Sequence, residues 1–163
     1  MPLATEDIKK IKSMYSTARQ FKNAVLINEI IEHKQNKHIN KIFPFIVNKS
    51  FACEVYLKTI NKIEEKKDKK IHNLIDLAKM TGINDYFKQY LKKTCPKLTE
   101  KEIDNSLLNI SNAFEEWRYI YEKRDIKVMY GFLNSYCEFL DMFCKQLMLN
   151  KLNIDVDKEL IYI

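Results

Sequence analysis

The chain has 163 residues, 46% of them apolar and 31% charged, with 28 basic side chains against 22 acidic ones and a formal charge of +6. That is the size and composition of one globular domain, and it excludes intrinsic disorder. Only two glycines, Gly82 and Gly131, and three prolines occur, which disfavours a doubly wound sheet, a phosphate loop or a turn-rich all-β fold and leaves an all-α domain.

In chain order, Thr5 followed by Glu6 and Asp7 reads as a helix N-cap with an acidic first turn. The helix is expected to run through Ile8, Ile11, Tyr15, Ala18, Val25 and Ile30 to about His33. The polar run HKQNKHIN interrupts it. Pro44 fits the first turn of a second helix, where its missing N–H is harmless. That helix carries Phe51, Ala52, Val55, Leu57 and Ile60 and is expected to end near Lys62. EEKKDKK, residues 64–70, reads as a charged break or a frayed helix end. Ile71, Leu74, Ile75 and Ala78 then follow the i, i+3, i+4, i+7 spacing of one helical face. Thr81-Gly82 closes that helix, and NDYFKQYLKK forms another that stops before Cys95-Pro96.

Thr99 with Glu102 three residues on forms a capping box. The helix it opens is expected to carry Leu107, Ile110, Phe114, Trp117 and Tyr121 as one apolar stripe down to about Asp125. A last long helix is lined by Met129, Phe132, Leu133, Tyr136, Leu140, Phe143 and Leu147. The tail NIDVDKELIYI reads as a strand-like arm, a docked tail or part of an interface. The pattern is therefore a single domain over 1–163, a bundle of four long helices with one or two short ones.

Beside the aromatic stripe, Ser111, Glu115, Arg118, Glu122 and Asp125 form a second, polar stripe. Arg118 and Glu122 are an i, i+4 pair, and a half-buried Arg118 suits a carboxylate or phosphate through its fork geometry. Glu54 is flanked by Cys53 and Val55 on an apolar helix, so it is expected to face inward and need a partner. Lys58 stands four residues on, and Arg118 on a facing helix would complete a buried structural pair. His72 with Asp76 four residues later is the spacing at which a carboxylate orients an imidazole as a base; a structural or capping histidine is the plainer alternative. Basic side chains are spread along the chain rather than concentrated on one helix, and no aromatic platform for bases is visible. The net charge permits a nucleic-acid partner without demanding one.

The four cysteines and three histidines have no metal-ligand spacing, so no metal and no cofactor is expected. Reduced, buried thiols in a cytoplasmic protein fit the cysteine pattern. With no apolar run near 18 residues, neither secretion nor a membrane span is expected.

SFACEVYLKTI followed, after the charged insert, by KIHNLIDLAKM resembles the central part of HEPN domains, small helical proteins of prokaryotes. The matching residues are Glu54, Leu57 and Lys58, then His72, Leu74 and Leu77. Trp117, Arg118, Tyr119 and Tyr121 resemble the later helix of the same family, and the likeness covers roughly residues 45–125. It implies a HEPN-like bundle working as a homodimer, in toxin–antitoxin or phage-defence settings, with RNA or an antitoxin protein as partner. Many such proteins are metal-independent ribonucleases whose signature is an arginine followed after four to six residues by a histidine. Arg118 or Arg124 would match the arginine, but no histidine follows either. The resemblance then implies a non-catalytic interaction or nucleic-acid-binding version, with Arg118, Tyr119 and Arg124 as binding residues. The alternative is a ribonuclease using Arg118 for the phosphate, with Glu122 or His72 carrying protons.

Overall fold

A computed structural model describes residues 3–27, 42–66, 70–113, 116 and 129–159. These residues are all-helical, with no strand among them. We label the helices α1 (Thr5–Asn23), α2 (Ile42–Ile63), α3 (Leu74–Lys79), α4 (Ile83–Thr94), α5 (Glu100–Ile110), α6 (Tyr130–Leu152) and α7 (Val156–Glu159). None of them is long and apolar enough to cross a membrane.

The expected helix positions hold along most of the chain, and the boundaries differ where polar side chains or the core intervene. Ala4, not Thr5, takes the N-cap position of α1, with extended backbone and no side-chain cap, while Glu6 and Asp7 sit in the first turn as expected. The helix stops at Asn23, ten residues short of His33; Val25 and Ile27 then pack against the core from outside the helix. The segment expected to carry it onward to Ile30 and His33 lies outside the described residues. Pro44 occupies the first turn of α2, and the helix ends one residue beyond Lys62.

The helix after the charged run begins at Leu74, because Asn73 caps it by accepting from the Asp76 N–H at 3.1 Å. His72 therefore precedes the helix. Gly82 adopts φ 67° between α3 and α4, a left-handed conformation glycine takes without strain. The capping box at Thr99 and Glu102 is present with both reciprocal hydrogen bonds. The helix it opens ends at Ile110 instead of continuing unbroken. Ser111 turns its hydroxyl back to the Leu108 carbonyl at 2.8 Å, its own carbonyl accepts from the Leu74 N–H, and Asn112 accepts from Asn73. Serine and asparagine side chains offer the backbone such alternatives to the helical ladder. The rest of the apolar stripe, from Phe114 to Tyr121, lies outside the described residues. As far as Glu159 the tail forms no strand: Ile154 and Val156 are buried, and α7 follows; its last four residues lie outside the described residues.

The three long helices form the frame. Tyr15 meets Tyr56 and Phe21 meets Phe51, while Asp7 pairs with Lys62, so α1 runs antiparallel to α2. Phe45 meets Tyr130, Lys49 reaches Glu138 and Glu64 pairs with Lys151, so α6 runs parallel to α2. α2 is thus sandwiched, which explains why residues from Phe45 to Ile63 are buried on several sides of it. α4 covers α6 through ring contacts of Phe87 with Phe132, Tyr136 and Phe139. Such tilted and edge-on pairs use the ring quadrupoles favourably.

A polar knot lies inside this frame. Asp141 of α6 is buried and accepts from Tyr15 at 2.7 Å, Tyr56 at 3.1 Å and Lys22 at 2.6 Å. Burial pushes its carboxyl upward, but the bonds from Lys22 and Tyr15 outweigh that and hold it below the ordinary carboxylate value. Burial likewise opposes the charge on Lys22, and Asp141 and Glu138 more than restore it, raising the ammonium's pKa. Burial and the neighbouring carboxylate push both tyrosine hydroxyls up, so they remain donors. A buried charge survives only when paired and hydrogen-bonded, and here one carboxylate ties all three long helices together.

The four cysteines are free thiols, Cys53, Cys137 and Cys144 buried and Cys95 exposed.

A candidate anion-binding pocket

The basic residues do not stay dispersed in three dimensions. Lys58 and Lys62 stand one helical turn apart near the end of α2. The helix closes with Glu65 at φ 53°, the Lys66 N–H returning to the Asn61 carbonyl at 2.8 Å and the Glu65 N–H to Lys62 at 3.1 Å. That is a Schellman closure, with a left-handed residue just past the helix. It turns Lys66 back beside Lys58 and Lys62, and Lys70 and His72 approach along the non-helical segment before α3. Lys10 and Met14 of α1 form the opposite wall, and Leu77 and Met80 the apolar side, of a pocket of about 470 Å³.

Its charges are unevenly compensated. Lys62 pairs with Asp7 at 2.6 Å, and Lys58 with Glu54 at 2.8 Å. Among the described residues, no carboxylate pairs with Lys10, Lys66 or Lys70. Three ammonium groups therefore border one concavity without a counter-charge among the described residues, and a concavity lined by one sign of charge raises the local anion concentration.

Glu54 faces inward, as its neighbours in the sequence suggest, and is only 3% exposed. Its Oε1 is shared by Lys58 and by His72 Nδ1, the latter at 2.9 Å. A carboxylate can only accept, so this bond needs the hydrogen on Nδ1, and in the neutral ring Nε2 is then the acceptor. The expected pairing of His72 with Asp76 does not form: Asp76 pairs with Lys79 at 3.0 Å and sits within the α3 cap. An i, i+4 relation requires both residues on one helix, and His72 lies outside it. Glu54 Oε2 has no hydrogen-bond partner among the described residues, nor does Oδ1 of Asn61. The amide of Asn61 is oriented by its Nδ2, which donates to the Leu77 carbonyl at 3.1 Å.

The structure thus brings His72 to the i, i+4 pair Glu54 and Lys58, 18 and 14 positions earlier in the sequence. Arg118, Tyr119, Glu122 and Arg124 lie outside the described residues, and so does the pairing of Glu54 with Arg118. Lys10, Asn61, Lys62, Lys66 and Lys70 are pocket residues that a linear reading passes over. One signal for them is present in the sequence: Lys58, Lys62, Lys66 and Lys70 recur every fourth residue, a helical spacing that continues into the charged run. Among the described residues, no group of histidines, cysteines and carboxylates is arranged to hold a metal ion.

Comparison with family models, with curated proteins and with solved structures finds no match.

Proposed function

We propose that this chain is a non-catalytic nucleic-acid-binding module, a HEPN-like bundle acting as a cytoplasmic homodimer in a toxin–antitoxin or phage-defence setting. The bundle type, dimer and setting rest on the resemblance of residues 45–125. Binding rests on one observation, the three lysines Lys10, Lys66 and Lys70 around one pocket, none with a carboxylate partner among the described residues. Phosphate backbones are gripped by such groups, with release of counterions and a steep dependence on salt. The test is the affinity of the full chain for single-stranded RNA across a salt series. K66A and K70A should each weaken binding and lower the slope of log K against log salt by about 0.7, while K93A, far from the pocket in sequence, should not. Equal slopes for all three variants would remove the pocket from the reading.

A metal-independent ribonuclease is the second reading, favoured by the Glu54–His72 contact at the pocket edge. A carboxylate on Nδ1 leaves Nε2 as a base for a 2′-hydroxyl, with Arg118 on the phosphate and Glu122 as a further proton carrier. RNA cleavage in excess EDTA, lost in H72A and in R118A, would establish it. Absence of cleavage by folded wild type would leave the binding reading.

A further inference from the structure

Resting on the nucleic-acid reading above, we infer that the pocket seats the end of a strand, specifically a terminal phosphomonoester of single-stranded RNA together with the nucleotide that carries it. Three observations converge. First, part of the lining is packed interior: Asn61 and Leu77 are only 5% and 1% exposed. A group that reaches them is covered by protein on that side, as the last nucleotide of a strand can be and an internal one in a continuing strand is less readily.

Second, its volume of about 470 Å³ falls in the range of about 300–1,000 Å³ usual for small-ligand sites. That accommodates a nucleotide and not a duplex. The walls divide in the same way as a nucleotide: Met14, Leu77 and Met80 offer an adaptable apolar surface to a base, and the lysines take the phosphate.

Third, the charge exceeds what an internal phosphate supplies. A diester carries one negative charge, whereas a terminal monoester carries about −1.5 to −2 near neutral pH. Lys10, Lys66 and Lys70 have no protein counter-charge among the described residues, so they match the doubly charged group better. Glu54 does not reduce this surplus, because its charge is offset by the ion pair with Lys58.

The test is competition against a labelled single-stranded RNA decamer bound to the full chain, using unlabelled decamers of one sequence that carry a 5′-phosphate, a 3′-phosphate or hydroxyls at both ends. One phosphorylated form should compete about tenfold better than the dihydroxyl form, as expected for one additional charge-assisted contact. Whichever end shows the preference identifies the source of the phosphate. K66A and K70A should abolish that preference while retaining the weaker binding of the dihydroxyl strand. The preference should also shrink below about pH 6, where the monoester loses its second charge. Equal competition by all three decamers, with binding still weakened in K66A, would overturn the strand-end inference and keep the nucleic-acid reading. Competition by adenosine monophosphate as effective as by the decamer would overturn it in favour of a free nucleotide. No binding of any RNA would sink both.

Discussion

Two regions of this molecule collect charge, and they treat it in opposite ways. In the core, Asp141 is surrounded by Lys22, Tyr15 and Tyr56, and both of its oxygens are engaged. Around the pocket between α1 and α2, five lysines gather against two carboxylates, Asp7 and Glu54. The first arrangement is closed: every charge has its answer within the chain, so it serves the fold. The second is open: Lys10, Lys66 and Lys70 have no carboxylate partner among the described residues. Charge balance, more than residue type, distinguishes the structural polar cluster from the candidate site.

The comparison can be broken by exchanging the two behaviours, and the largest effect is expected in the core. D141A leaves Lys22 and two tyrosine hydroxyls without their shared acceptor. Removing one partner of a buried ion pair costs about 3–5 kcal/mol, measurable by urea denaturation, and a loss below 1 kcal/mol would show that the knot is not structural. The same group sets a pH dependence. Asp141 is held below its unfolded value of 3.8, so its contribution is complete above that pH and disappears as pH falls through the lower folded value. Lys22 is raised above 10.5, so its contribution is complete below that pH and is lost as pH rises through the higher folded value. Denaturation midpoints across pH should show both limbs, and D141A should flatten the acid one.

A smaller effect is expected for the hydroxyls. Y15F and Y56F each remove one donor to the same oxygen and should cost about 0.5–1.5 kcal/mol. Because the two donors share Asp141 Oδ1, the double variant should not equal the sum of the singles. The smallest stability effect belongs to the open region. K66A and K70A should stay within about 0.5 kcal/mol of wild type, as surface changes without partners do. Unfolding of either variant would mean that the pocket, too, is a device of the fold.

Much of the architecture was legible because helices announce themselves by local signals. The Thr99–Glu102 capping box, the stop before Pro96 and the apolar spacing of α6 depend on residues a few positions apart. The inward orientation of Glu54 was legible for the same reason, since its neighbours on α2 are apolar. Its i, i+4 partner Lys58 was legible too, but its second partner was not. His72 is 18 positions away, and only the closure of α2 at Glu65 and the return through Asn73 bring the two together. The break after Ile110 was likewise hidden: Ser111 and Asn112 leave the helical ladder because α3 supplies them with partners, a tertiary fact. The pocket was hidden most, because Lys10 on α1 and Lys66 just past the end of α2 line one concavity only through the antiparallel pairing of α1 and α2.

The distribution of thiols has a practical consequence. All four cysteines fall in described segments, and three are sealed in the interior. A maleimide dye added to the native protein should therefore attach at Cys95 alone, which lies just past the end of α4 and is not part of the pocket lining. The wild-type sequence thus carries its own single labelling position. Ligand titrations by fluorescence can be run on it without a cysteine-free background or a substitution among the pocket lysines.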